Sequence, residues 1–193
     1  MLNGGDARVN VKVRKLHDDA VIPQYATAGA AGFDLVAVED VIIAPGETKK
    51  VPLGLAFEIP EVYVMYVCMR SGIALRTKLR QSNGIGVIDS DYRGEVAMMF
   101  DNISQYSGDA YHYETLSGET VSSGERYCNV GDGYMVRKEV RQDTYLIRKG
   151  DRIAQGVLAK VPRAAFVEVA ELDETERGSG GFGSSGIRAE VSE

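Results

Sequence analysis

The 193-residue chain has no tryptophan, only two histidines and only two cysteines. Each scarcity removes a class of chemistry. His17 stands near the polar start and His112 in a Gly/Ser/Tyr-rich stretch, so both are expected in exposed loops. A His-centred triad or a zinc hydrolase therefore lacks its parts. Cys68 and Cys128 are too few and too far apart for a zinc knuckle or a disulfide framework. Long apolar runs are missing as well. The longest near-apolar stretch, VYVMYVCM (62–69), is far short of a membrane span, and MLNGGDARVNVKV has no h-region of a signal peptide. A cytoplasmic protein with no membrane partner is the expectation. Positive charge is also scarce. The formal net charge of -6 makes a nucleic-acid polymer an unfavourable partner, while leaving room for a small anion at a local arginine cluster.

What is present is β-strand after β-strand. Val9, Val11 and Val13 alternate with polar residues in RVNVKVRK. Further β-rich segments follow at GFDLVAV, VIIA, KKVPLGLAFEI, VYVMYVCM, GIGVI, EVAMMF, DTYLIRK and RIAQGVLAKV. Turn chemistry at Ala44-Pro45-Gly46-Glu47 and Ile59-Pro60-Glu61 separates some of them. SGIALRTKL alone reads as a short helix, and no βαβ alternation is visible. The expected fold is an all-β barrel or jelly roll over residues 1–173. It carries an insertion at about 101–143, rich in Gly, Ser, Tyr and acids. From 174 to 193 a Gly/Ser-dense tail is expected to be mobile without ligand.

Four segments share one chemical logic: donors for phosphate, and single carboxylates placed among them. In MRSGIALRT, Arg70 ends a strand and Ser71-Gly72 open the helix; Ser71 is either a plain N-cap or part of an anion site. The tail RGSGGFGSSG (177–186) places Arg177 and Phe182 among five glycines and three serines. It is either a linker or a backbone cradle for phosphate with an aromatic face for a base. Its GxGxxG match has no following helix and is no Rossmann signal. In KGDRIAQGVLAKV, Arg152 reads as an ion-pair partner, and Gln155 lies among apolar residues where an amide needs a partner. Asp34 interrupts the apolar AGFDLVAV, as a strand-edge residue or a metal-associated carboxylate. Between two pieces of sheet, GVIDSDYRGEV sets Asp89, Asp91, Tyr92, Arg93 and Glu95.

In this order the segments resemble the five motifs of the homotrimeric dUTP pyrophosphatase (dUTPase) family. AGFDL resembles the first, RSGIA the second, NGIGVIDSDYRGE the third, GDRIAQ the fourth and RGSGGFGSSG the fifth. The resemblance covers about residues 12–187 apart from the insertion, and its specificity lies in the order and in the spacing from Arg70 through Asn83 to Asp89. It implies a jelly roll, three active sites shared among three subunits, and the tail as a lid. By the resemblance, the strand of Asn83, Gly86, Val87 and Ile88 turns back as a hairpin through EVAMM. Main-chain groups there, with the position of Ala97, meet the uracil edge, and Tyr92 lies under the deoxyribose. Asp89 aligns and deprotonates the water that attacks the α-phosphorus, yielding dUMP and pyrophosphate. Aspartate is a weak base, so positioning must supply much of the rate. Arg70, Ser71, Gly72 and Gln155 hold the phosphates; Arg177, Gly183 and Ser184 close on them, and Phe182 covers the base. Mg²⁺ clamps the triphosphate, with Asp34 holding one of its waters. Asp91, Arg93 and Glu95 are left to turn and intersubunit ion pairs.

Two departures stand out. Met69 replaces the proline that often precedes Arg-Ser-Gly in the family, and the insertion separates motifs three and four. Extra segments of this kind serve regulatory protein contacts in some phage dUTPases, which implies a phage-type member with a regulatory partner. Of the rivals, dCTP deaminase shares the fold but needs a proton shuttle near the base, typically a glutamate supplied by a different motif; Ile88 before the acidic cluster and the pattern GVIDSDYRGE favour the pyrophosphatase. A non-catalytic or moonlighting nucleotide-responsive regulator acting through 101–143 is the other reading.

Overall fold

A computed structural model describes residues 8–127, 135–137 and 139–181. Chain contacts divide it into two units, Met1–Pro162 and Arg163–Glu193.

In the first unit the strands are β1 (Lys12–Lys15), β2 (Phe33–Val36), β3 (Val41–Ile43), β4 (Thr48–Glu58) and β5 (Tyr63–Met69). Helix α1 (Ser71–Arg76) follows, then β6 (Leu79–Gln81), β7 (Gly86–Ile88) and β8 (Val96–Asn102). The inserted region holds β9 (Asp109–Ala110), β10 (His112–Thr115), β11 (Thr120–Ser122), β12 (Glu125–Tyr127), β13 (Met135–Arg137) and β14 (Val140–Arg141). The chain returns through β15 (Tyr145–Ile147) and ends its regular structure in β16 (Arg152–Lys160). Among the described residues, one six-residue helix and sixteen strands make the all-β architecture expected of a jelly roll.

The strands form two main sheets, β1-β4-β8-β6 and β2-β16-β5-β7. Alternation within them builds the core. In β8 the odd members of VAMMFDN, Val96, Met98, Phe100 and Asn102, are buried while Met99 is exposed. β4 is buried over most of its length, and its Leu53, Leu55 and Phe57 meet Leu35, Met65, Val67 and Ile153 in one apolar cluster. β4 also breaks step. Its pairing with β8 shifts between Pro52 and Leu55, and Gly54 takes φ +64 there. A side chain at Gly54 would stand 2.8 Å from Val38 Cγ1 and 2.9 Å from His17 Cβ, so only glycine fits this bulge.

Two sequence expectations change. β7 pairs with β5 and β8 pairs with β4 and β6, so the two do not form a paired hairpin; they belong to different sheets and leave a gap between them. His112 lies half-buried in β10 rather than in an exposed loop. The inserted region carries short hairpins, β10 with β11 and β12 with β13. β10 runs parallel to β15, giving a sheet β11-β10-β15-β3.

In the second unit, Phe166, Val167 and Leu172 are 96, 79 and 87 % exposed. A tight turn follows, in which Gly178 N–H donates to Thr175 O (3.0 Å) and Arg177 Nε donates to Gly180 O (2.8 Å).

Candidate active site

The gap between the two sheets is a cleft of about 240 Å³. It is lined by Asn83, Gly86, Val87, Ile88, Asp89, Tyr92 and Ala97, with Lys50, Val67, Glu95, Val96 and Met99 completing the wall. Seven residues singled out in the sequence thus meet in one place.

Each is set by its neighbours. Gly86 packs closely, since a Cβ there would stand 3.0 Å from Val67 Cβ across the β5–β7 ladder and press on it. Gln81 Nε2 donates to Val67 O (2.9 Å) and to Asn83 Oδ1 (3.3 Å), so the last residue of β6 orients Asn83. Asp89 follows β7 directly, and its carbonyl accepts from Tyr92 N–H at 3.2 Å, closing the turn that lifts the tyrosine over the cleft. Tyr92 Oη donates to Glu95 O at 3.1 Å. Arg93 Nη1 donates to the carbonyls of Ser90 (2.7 Å) and Tyr92 (3.0 Å), holding the same turn from outside. Glu95 Oε1 accepts the Gly54 N–H at 3.0 Å. Arg93 and Glu95 thus fasten the turn to itself and to the β4 bulge within the chain.

A second group forms on the other main sheet. Gln155 of β16 is registered opposite Asp34 of β2 and Cys68 of β5, so the three side chains share one face. Asp34 receives Arg70 Nε at 3.4 Å and Arg152 Nη1 at 3.2 Å, and Arg70 Nη1 donates to Arg152 O at 3.0 Å. The Asp34 side chain is 15 % exposed against 32 % for Arg70 and 58 % for Arg152, so one sheltered carboxylate carries two more exposed guanidinium groups. Arg70 occupies the cap position of α1 with extended backbone, and Ser71 is the first helical residue rather than its cap. The first-turn N–H groups of Ser71 and Gly72 have no partner within a helix of this kind, and both residues lie beside the arginines. Among the described residues no cluster of three or more His, Cys, Asp or Glu is placed to hold a metal ion. Arg177 belongs to the second unit, while Phe182, Gly183, Ser184 and Cys128 lie outside the described residues.

The two groups do not meet within one chain. Ile88 stands opposite Met65, and Arg70 is five residues further along β5, about 17 Å away at roughly 3.3 Å per residue. Asp89 lies one step beyond Ile88, in the opposite direction. Lys50, Val67 and Gln81 are members of the cleft and its supports to which sequence reasoning gave no part in the site. Only the pairing of β4 with β8 and the β6 register bring Lys50 and Gln81 here, and neither has a local sequence signal.

The fold and cleft define an all-β, jelly-roll protein with a small pocket between its two main sheets and the exposed Asp89 carboxylate at the rim. A family model described as dUTPase matches residues 18–107 and 136–186, passing over 108–135. The deoxyuridine 5'-triphosphate nucleotidohydrolase of Nautilia profundicola is 40% identical over 92% of this chain and 99% of its own length. That of Helicobacter pylori strain J99 is 35% identical over 93% and 98%. Among solved structures, the Staphylococcus bacteriophage 80alpha dUTPase with dUPNHPP superposes with TM-score 0.79 at 27% identity, over 92% of this chain and 99% of that one. The dUTPase of phage phi11 of S. aureus, whose structure visualises a species-specific insert, gives 0.74 at 26% identity over 86% and 100%. This chain belongs to the dUTPase family.

Proposed function

We propose that the protein hydrolyses dUTP to dUMP and pyrophosphate, keeping uracil out of DNA. The observation that carries the mechanism is the cleft that gathers Asn83, the backbone of Gly86–Ile88, Asp89, Tyr92 and Ala97. At about 240 Å³ it falls below the roughly 300–1,000 Å³ of complete ligand pockets, the size for a nucleoside without its phosphate chain. Backbone groups along β7 and at Ala97 read the uracil edge, and the narrow gap rejects a thymine methyl. Tyr92 lies under the sugar and leaves no room for a 2′-hydroxyl.

Asp89, at the rim, takes a proton from water as its oxygen attacks the α-phosphorus. The bond from that phosphorus to the bridging oxygen breaks, and pyrophosphate leaves with the electron pair. Arg70, Ser71, Gly72 and Gln155 hold the phosphates, with Asp34 keeping Arg70 and Arg152 in place. Electrostatic stabilisation of the transferring group is the main contribution expected of such a site.

The backbone separation of roughly 17 Å between Ile88 and Arg70 supports a site in which the cleft of one subunit faces the arginine group of another. A homotrimer with shared sites satisfies this geometry. The exposed Phe166, Val167 and Leu172 favour it, since a neighbouring subunit would cover them. The tail from 174, with Arg177, Phe182, Gly183 and Ser184, closes over the bound nucleotide as a lid.

Mg²⁺ fits a donor set of this kind. The described residues offer no protein cage, and Mg²⁺ commonly binds through one carboxylate and the substrate's own phosphates. A structure of a phage phi11 dUTPase variant describes coordination of a structural Mg(II) ion. Asp34 would hold the ion through a water, and the ion would neutralise charge on the triphosphate.

A regulatory role is the second reading, favoured by the segment 108–135 that the family model passes over. It makes the insertion the contact for a protein partner, in a phage-type enzyme of the host cytoplasm. Replacing 108–135 by a short linker should then abolish partner binding and spare hydrolysis.

The first test is pyrophosphate release with Mg²⁺ from dUTP, dTTP, dCTP and UTP, with Asp89→Asn as control. Release from dUTP alone, lost in the variant, is expected. No release from any of them, with dUTP still bound, would leave the regulatory reading in possession of the site.

A further inference from the structure

Tyr92 is 44 % exposed, so packing alone does not hold its ring at the cleft. Three contacts do. Its hydroxyl donates to Glu95 O at 3.1 Å. The ring lies across Gly94, where an added Cβ would stand 2.3 Å from Tyr92 Oη, 2.5 Å from Cζ and 3.0 Å from Cε2. Real Cβ atoms do not approach so closely, and no left-handed φ calls for glycine at 94, so any side chain there would displace the ring from this position. The Glu95 carboxylate in turn accepts the N–H of Gly54 at 3.0 Å. Gly54 is itself locked, with its carbonyl accepting from Leu16 N–H at 2.8 Å and its α-carbon walled by Val38, His17 and Ala20.

We infer that Gly94 and Glu95 are positioning residues for sugar selectivity. They carry the rigidity of the β4 bulge to the Tyr92 ring and so set the height of the floor beneath the sugar. The inference rests on the proposed reading of the cleft as the deoxynucleoside pocket. A ring held to a fraction of an ångström can exclude one hydroxyl, whereas a ring free to swing by a rotamer cannot. Gly94→Ala pushes the ring off its seat. Glu95→Ala removes the tie to Gly54, while Glu95→Gln keeps an oxygen to accept that N–H.

The experiment measures kcat/KM for dUTP and for UTP in wild type, Gly94→Ala, Glu95→Ala and Glu95→Gln, with thermal melts to confirm folding. The ratio of the two constants is the readout, because general loss of stability or active fraction lowers both equally. The ratio is expected to fall by about tenfold or more in Gly94→Ala and Glu95→Ala, the lower end of what one steric group contributes. Glu95→Gln should recover most of it relative to Glu95→Ala. If Gly94→Ala does not fold, the two Glu95 variants decide the matter. Folded variants with the wild-type ratio would overturn the inference while leaving dUTP hydrolysis intact. A wild type that hydrolyses neither nucleotide would instead overturn the reading beneath it.

Discussion

The side-chain amide of Asn102 donates to the carbonyl of Asp143 at 2.8 Å, so the points where the inserted region leaves and rejoins the sheets are one hydrogen bond apart. The same amide nitrogen donates to Ile43 O at 3.1 Å, and Asn102 Oδ1 accepts Ser104 N–H at 3.1 Å. Asn102 is 1 % exposed.

Asn102→Ala removes three hydrogen bonds to backbone groups, one of them buried and two part-buried. The expected loss is about 2–4 kcal/mol, since an orphaned buried group costs more than the bond was worth. Thermal unfolding should fall by roughly 5–10 °C for a chain of this size. Activity measured well below the transition should stay near wild type, because the neck of the insertion touches neither group of site residues.

Asp89→Asn keeps the shape of the cleft and removes the base. Binding of a non-hydrolysable imido analogue of dUTP should persist while kcat drops by about 10²–10⁴. A variant with wild-type turnover would move the water-activating role to another residue.

Asp34 holds two arginines and is proposed to hold a water of Mg²⁺. Asp34→Asn should raise the Mg²⁺ concentration giving half-maximal rate by about 10-fold, the scale of an outer-sphere ligand. A raised KM with unchanged Mg²⁺ dependence would assign the carboxylate to the arginines alone.

Burial, and the nearby Asp143 carboxylate, push the Glu114 acid above its ordinary value, with His112 opposing. The folded state therefore favours the protonated form. That stabilisation is complete below the ordinary carboxylate value and is lost as pH rises through the raised one. Above that raised value the ionised group opposes folding of the β10–β15 pair, so Glu114→Gln should melt higher than wild type at pH 8. The difference should vanish at about pH 4. Melting curves at the two pH values check it, and equal curves at both would show that Glu114 carries no such burden.

Truncation before Arg177 removes the proposed lid. A loss of about a hundredfold in kcat/KM is expected if closure positions the phosphates. Full activity in the shortened chain would take the tail out of the mechanism.

The strands were legible because each is a local matter of alternation and turn residues, as at VAMMF and at Ala44-Pro45-Gly46-Glu47. So was the short helix at Ser71–Arg76, and so was the set of motif residues whose chemistry and order carry the family likeness. Pairing was not legible. Nothing in GVIDSDYRGEV says that the strand before the turn joins β5 while the strand after it joins β4, because pairing depends on core packing far away in sequence. The cleft itself follows from that divergence. It also brings in residues with no motif of their own: Gln81 against Asn83, and Gly54 tied to Glu95 across 41 positions. The sequence by itself determined the order and spacing of the five motif segments and the side chains they offer to a site. Tertiary structure alone decided that Tyr92 and Asp89 share a gap between two sheets, and that the arginines lie beyond their reach within one chain.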